Sequence, residues 1–401
     1  MEIRPILSAM RRSPTGAILV ALQIALALAI TVNAFYIISQ RLEHMGRDPG
    51  LDVANTFVVV FYAKGRDFDA GPAMREDLAI LRGLPGVVAA TTINAVPLSG
   101  GGSGTRYYTE PGEKGKYAQV NYFEVDEQGV DTLGLQLVEG RNFDASVVTS
   151  ANRNSSAFVP EVILTRAVVN ELFPGEHAVG KTVYDNLGQP ARVVGVVDHM
   201  IGSWPSWDKA GQVTLHPVIA DEQQARYLVR AKPGQRDEMM KLAEDRLSAI
   251  DNGRIVTKVR SLEYVAAGTY ADDRAMAFYM GLVVVLLLAV AALGVFGLAA
   301  FNVGTRTKQI GTRRAVGARK RDVVRHFLAE NWIVTTVGIA AGCVLALALG
   351  YWLSTTFELP RLPLYYLVAG VAILWAVGLI AALVPARRAA LVSPAVATRT
   401  V

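Results

Sequence analysis

Four long apolar runs, at residues 17–38, 276–303, 332–357 and 364–384, dominate the hydropathy pattern of the chain. Each has the roughly 20 residues an α-helix needs to cross a hydrocarbon core. Between the first and second runs, residues 39–275 change character and break into short patches of strand and helix period. Residues 56–62 (TFVVVFY), 87–95, 117–125, 192–198, 212–217, 226–231 and 254–259 read as strands. Residues 73–84 and 235–251 read as helices, and 162–173 as a strand running into a helix. A further helix starts at Ser261 and is expected to run unbroken into the second span, passing motion rigidly into the membrane. The glycine-rich stretch 99–105 (SGGGSGT) reads as a mobile connection. The predicted fold class is a membrane protein of four transmembrane α-helices with a large α+β domain inserted between helices 1 and 2.

The spans carry their own pattern. Gly338, Gly342, Ala346 and Gly350 place a small residue at every fourth position of the third span, a ridge that lets another helix approach closely. Its partner is either a helix of the same chain or one of a second subunit. Gln23 and Asn33 are polar within the first span and are expected to face a neighbouring helix. No Lys, Arg, Asp or Glu lies deep in any run, so a proton relay or ion-driven mechanism is disfavoured and an external energy source is expected.

Composition fits this division: 52% of the 401 residues are hydrophobic and mean hydropathy is +0.30. Net charge is +5, but it is unevenly spread. Residues 41–274 hold 25 Lys and Arg against 31 Asp and Glu, whereas residues 1–16, 304–331 and 385–401 together hold 14 against 3. Basic segments stay on the cytoplasmic side. Both termini (1–16 and 385–401) and the 304–331 loop are therefore placed inside, and the large domain and the short 358–363 loop outside. The basic balance reflects orientation, and no nucleic-acid partner is read from it. Arg4, Arg11 and Arg12 precede the first run as in a secretory signal, but the run is too long for a signal core and is read as an uncleaved anchor. The single cysteine, Cys343, allows no disulfide within the chain.

Candidate chemistry is sparse. Residues 175–182 (GEHAVGKT) match the phosphate-loop pattern, yet a helix precedes them and a strand follows. A phosphate loop needs the reverse order, so no nucleotide site is assigned. The five histidines have no metal spacing, and no nucleophile or paired-carboxylate constellation is legible. Trp204 and Trp207 flank Pro205 and are read either as core packing or as an exposed tip that contacts a partner or substrate.

The most basic stretch is 305–331, with Arg306, Lys308, Arg313, Arg314, Arg319, Lys320, Arg321 and Arg325. Its apolar positions suit two short helices with breaks at Gly311 and Gly317, the second helix running into the third span. The run QIGTRRAVGARKRDVVRHFLAEN resembles the cytoplasmic loop of FtsX-like permeases, through Ile310-Gly311, Ala315-Val316-Gly317-Ala318 and the stretch from Asp322 to Glu330. Residues 129–143 (GVDTLGLQLVEGRNF) resemble part of the MacB-type periplasmic core domain. The chain as a whole resembles the MacB/FtsX-like ABC transporter permease family, here without a fused ATPase domain. One departure is that Thr305 and Gln309 stand where the family usually has acids.

The resemblance implies a non-catalytic, multi-pass permease of the bacterial inner membrane, with its large domain periplasmic. Arg306, Lys308, Ile310, Gly311, Arg313, Arg314, Gly317, Ala318, Arg319 and Asp322 would couple to a cytoplasmic ATPase subunit, which alone would hold ATP and Mg; this chain would bind no cofactor. A second permease copy, as a homodimer or paired heterodimer, and an adaptor with an outer-membrane channel are the further implied partners. The implied function is mechanotransmission that drives efflux of a periplasmic peptide, antibiotic or other small molecule. Control of a cell-wall hydrolase or movement of lipoproteins is an alternative, and a membrane-anchored ligand sensor is another.

Overall fold

Among the described residues the first element is α1 (Pro14–Gly46), long and apolar enough to cross a membrane. The computed structural model describes residues 14–64, 70–152, 158–221, 224–250, 254–356 and 361–392. These divide into a helical unit, Met1–Glu43 with Asp273–Val401, and an inserted domain, His44–Asp272.

In the inserted domain the elements run β1 (Thr56–Ala63), α2 (Ala70–Arg82), β2 (Val87–Thr92), β3 (Ser103–Glu110) and β4 (Lys114–Val125). Next come α3 (Gly129–Leu133), β5 (Leu137–Gly140), β6 (Thr149–Asn152), β7 (Glu161–Thr165), α4 (Arg166–Leu172), β8 (Thr182–Tyr184) and β9 (Pro190–Val197). The domain closes with β10 (Val213–Asp221), β11 (Gln224–Ala231), α5 (Arg236–Ser248), β12 (Arg254–Ser261) and α6 (Leu262–Thr269).

Two strand–helix–strand passes, β1-α2-β2 and β11-α5-β12, make one antiparallel sheet in the order β12-β1-β11-β2. This is the split βαβ arrangement. It explains why β1 reads as a continuous apolar run. Phe57, Val59 and Phe61 face α2 and α5, meeting Met74, Leu78, Leu81, Met239 and Leu247. Val58 and Val60 face the other way, into a core with Phe123, Val125, Val213 and Leu215. Alternate side chains are thus buried on both faces. On the helix side, Asp77 and Arg254 are fully buried. Arg254 Nε and Tyr227 OH each donate to Asp77 Oδ2 at 2.7 Å, a second guanidinium N–H reaches Oδ1, and Arg254 Nη1 donates to the Leu247 carbonyl at 2.9 Å.

Between β2 and β11 is inserted an eight-stranded sheet in the order β4-β3-β8-β9-β7-β10-β6, with β5 on β9. A further parallel pairing of β10 with β4 closes six of the strands into a ring. The glycine-rich 99–105 stretch differs from its expected role as a mobile connection. From Ser103 it is strand β3, paired with β4 from Ser103↔Tyr122 onward. Glycine lowers local strand propensity, but a partner strand already in place overrides it. The expected continuous helix into the second span is also corrected. Ser261 Oγ caps α6 by accepting from Tyr264 N at 3.1 Å, and α6 then ends at Tyr270 before the next helix starts at Ala271. Gly268 and Thr269, whose hydroxyl bonds back to the Val265 carbonyl, weaken the helix there.

His216, on β10, is buried with its Nε2 sharing a hydrogen bond with Tyr107 OH at 3.0 Å and its ring stacked on Tyr122. Burial pushes the imidazole down to about 3. The unfolded chain takes up this proton near pH 6.5, so the folded domain binds fewer protons in between. Its contribution to stability is therefore full above about pH 6.5 and is lost as pH falls toward 3, at up to about 1.4 kcal/mol per pH unit. We expect His216→Gln, which keeps a polar partner for Tyr107, to flatten the fall in melting temperature between pH 6.5 and 4.5; parallel curves for the two proteins would refute this.

In the helical unit, α1 is joined by α7 (Ala271–Thr305), α8 (Thr307–Ala315), α9 (Lys320–Thr356) and α10 (Leu364–Ala390). Helices α1, α7, α9 and α10 are long and apolar enough to cross a membrane. Of these α1 is the most enclosed, with 56% of its apolar window buried against 22% for α7 and α10, so it forms the centre of the packing. The small-residue ridge of α9 lies against it. A Cβ at Gly338 would be 2.7 Å from the Ala21 carbonyl, and one at Gly342 would be 3.0 Å from Ala25 Cα. Asn33 donates to the Ala346 carbonyl at 3.1 Å, and a Cβ at Gly350 would be 3.1 Å from Asn33 Oδ1. Gln23 lies over Gly294 of α7. Close backbone approach takes the place of the hydrophobic drive that lipid cannot supply. At the far end Arg41 pairs with Asp273.

Candidate functional site

The hairpin from α8 into α9 is set by its caps. Ala318 N donates to the Arg313 carbonyl and Gly317 N to the Arg314 carbonyl, both at 3.1 Å. With Gly317 at φ +106°, this is a Schellman closure, which needs a residue without Cβ strain in the left-handed region. Directly after it, Asp322 Oδ2 accepts from Arg319 N at 3.1 Å and caps the start of α9. The two helices are therefore joined by a short, defined turn.

The inner side of the hairpin is latched to its neighbours. Ile310 is buried among Val323, Phe327, Ala386, Ala389 and Ala390, so α8 packs on both α9 and α10. Gly311 is buried beside it inside α8, so the break expected there is absent and the helix runs on to Ala315. Arg306 Nη1 meets Glu330 Oε2 at 2.9 Å, and Asn302 Nδ2 donates to Glu330 Oε1 at 3.3 Å. The Glu330 side chain is only 4% exposed, so this pair has little of the solvent screening that makes surface ion pairs weak. Arg314 Nη1 donates to the Val392 carbonyl.

The structure thus sorts the ten candidate residues into two sets. Arg306, Ile310, Gly311, Arg314, Gly317, Ala318 and Asp322 hold the hairpin in shape. Lys308, Arg313 and Arg319 present exposed cations. Beside them Val316 is 85% exposed, the most exposed large hydrophobe among the described residues. Sequence reasoning missed Val316 as a site residue, and it missed Glu330 and Asn302. An apolar residue held between a helix end and a left-handed glycine, amid cations, is the signal for the first. An acid two residues before an apolar span is the signal for the second. The arrangement offers a rigid, positively charged tip with one apolar knob.

Two other motifs take definite places. Around the phosphate-loop pattern, α4 precedes and β8 follows, and Lys181 pairs with Glu176 of its own loop, 4.5 Å from the Phe173 ring centroid. The lysine is thus committed locally. Trp204 and Trp207 are half-buried, edge to face with centroids 6.5 Å apart, and line a groove of about 410 Å³.

Residues 17–246 match the family model described as a MacB-like periplasmic core domain, and residues 281–394 match the FtsX-like permease C-terminal region. The macrolide export ATP-binding/permease protein MacB of Chromobacterium violaceum is 29% identical over 65% of this chain and 40% of its own length. The uncharacterized ABC transporter permease YvrN of Bacillus subtilis is 27% identical over 71% of this chain and 70% of its own. The solved periplasmic region of MacB from Actinobacillus actinomycetemcomitans is 17% identical, with a TM-score of 0.33 over 57% of this chain and 98% of that one. The chain spans less than half the length of the MacB relative from Chromobacterium violaceum.

Proposed function

The chain belongs to the family with a MacB-like periplasmic core domain and an FtsX-like permease region, the ABC transporter permeases of the inner membrane, and from that premise we propose that it converts the nucleotide cycle of an ATPase into motion of its periplasmic domain. The observation that carries this reading is the hairpin tip, apolar and exposed at Val316 while its other side is latched through Ile310 and Arg306. A tip fixed in this way moves only together with α9 and α10. Since the glycine ridge of α9 contacts the backbone of α1, a tilt of α9 has no slack in which to dissipate.

In this reading Val316 enters a cleft of the ATPase, and Lys308, Arg313 and Arg319 meet acidic groups around it. A few desolvated residues carry most interface energy, and arginine, present here as Arg313 and Arg319, is among the types enriched there. In this reading residues 14–16 and 385–392 lie on the same, cytoplasmic, side, and the rest of both termini is outside the described residues. Two copies of the permease work with two ATPase units, and the exported substrate is a small molecule or peptide taken up on the periplasmic side. The relative named for macrolide export supports that class of substrate. An adaptor and an outer-membrane channel complete the route.

Cysteine cross-linking tests the contact. In membranes that also contain the ATPase, Val316→Cys is expected to cross-link to it in a nucleotide-dependent way, whereas Ile380→Cys, on an exposed face within α10, is not. A tip cysteine that never reaches the ATPase would end this reading.

A further inference from the structure

The groove beside Trp204 and Trp207 is built on the β3–β4 hairpin. Gly104 leaves room for the Trp204 ring, which would stand 3.6 Å from a Cβ there. Two residues along β3 on the same face, Arg106 lies opposite Gln119 of β4, and two further on Tyr108 lies opposite Tyr117. The Tyr117 ring is 54% exposed, and Asn186 lines the groove from the turn between β8 and β9. Aromatic surface therefore alternates with planar polar groups along one strip.

These polar groups are uncommitted. Among the described residues, the side chains of Arg106, Gln119, Asn186, Trp204 and Trp207 have no hydrogen-bond or ion-pair partner. Elsewhere in the same domain Arg82, Arg141, Arg166, Arg236 and Arg254 are each paired with a carboxylate, whereas Arg106, like Arg75, Arg192 and Arg246, is not among the described residues. The groove lining contains no acid. An open guanidinium without a counter-charge favours a ligand that brings its own anion. Trp207 also packs against the cluster of Leu98, Ile201, Ala210 and Ala266, which holds the indole platform in place.

We propose that this groove binds an acidic oligosaccharide, with a sugar ring packed in the Trp204–Trp207 corner and a carboxylate on Arg106. The C–H face of a pyranose is apolar and flat enough to lie on an indole, while its rim of hydroxyls needs donors and acceptors close together. Gln119 and Asn186 each supply both, and the two indole N–H groups are donors only. Tyr117 offers a platform for a further ring. A peptide is the competing occupant. Extended peptides take their affinity from a free strand edge, and β8 covers β3 only at Tyr108↔Tyr184 while β10 covers β4 only from Asn121 to Val125, so the peptide arm of the test below decides between the two.

The test uses the full chain in lipid nanodiscs, titrated with tetragalacturonate, with neutral chitotetraose and with a tetraglutamate peptide, read by tryptophan fluorescence and saturation-transfer NMR. Tetragalacturonate is expected to bind saturably, with Trp204→Ala and Arg106→Gln each weakening it at least about tenfold and chitotetraose binding weaker by a similar factor. Arg106 is exposed on a paired strand, so Arg106→Gln keeps the test sound if Trp204→Ala disturbs the fold. Equal binding of the neutral sugar, tighter binding of the peptide, or no saturable sugar binding would overturn the proposal. None of these outcomes bears on the ATPase contact at Val316, which the cross-linking experiment judges separately.

Discussion

Replacing Asp77 with alanine is expected to lower the melting temperature of the periplasmic domain by roughly 6–20 °C. The figure follows from about 3–5 kcal/mol for breaking a buried ion pair and about 2–4 °C per kcal/mol for a domain of this size. Arg254 and Asp77 have side chains 1% and 0% exposed, so removing the carboxylate strands a guanidinium with no route to water. Tyr227 loses its acceptor at the same time. Burial pushes the Asp77 carboxyl up, while the bonds from Arg254 and Tyr227 pull it down. The intact pair is accordingly a compensated arrangement rather than a large source of stability, and its loss costs more than its presence gains. The double replacement Asp77→Leu with Arg254→Met removes both charges together and should recover much of the loss. Full-length protein followed through thermal unfolding gives the comparison. A single mutant within 2 °C of the native protein, or a double mutant worse than the single, would contradict this account.

Gly317→Pro is expected to abolish export while leaving membrane insertion and nucleotide binding by the ATPase unchanged. Proline fixes φ near −65°, whereas Gly317 sits at +106°. It also removes the N–H that donates to the Arg314 carbonyl. The Schellman closure cannot form, and Val316 leaves its position between α8 and α9. Gly317→Ala is the graded control, because an L-residue in the left-handed region costs about 1–2 kcal/mol but keeps the N–H. It should retain partial export. ATP hydrolysis measured beside export separates uncoupling from misfolding. Normal export by the proline variant would count against a role for the tip.

The sequence was sufficient for the architecture where the signal is local and the solvent decides. A run of some 20 apolar residues has no stable place but a bilayer or a large core, and the basic segments argue for its orientation, so the four spans and the inserted domain could be read from hydropathy and charge. Gly317 was legible too, as a helix-ending glycine in a short connection. What the tertiary structure decided depends on residues far apart in sequence. That β1 is buried on both faces follows from helices on one side and the ring of strands on the other. That residues from Ser103 onward are strand follows from β4 being there to pair with them. That Arg306 and Ile310 latch while Val316 projects follows from the position of Glu330, Phe327 and Ala386. That the glycine ridge of α9 meets α1 of the same chain follows from how α7, α9 and α10 pack around α1. A hydropathy pattern records how much each residue avoids water, a property of the residue alone. Which partner relieves that avoidance is a property of the fold, and no single residue carries it.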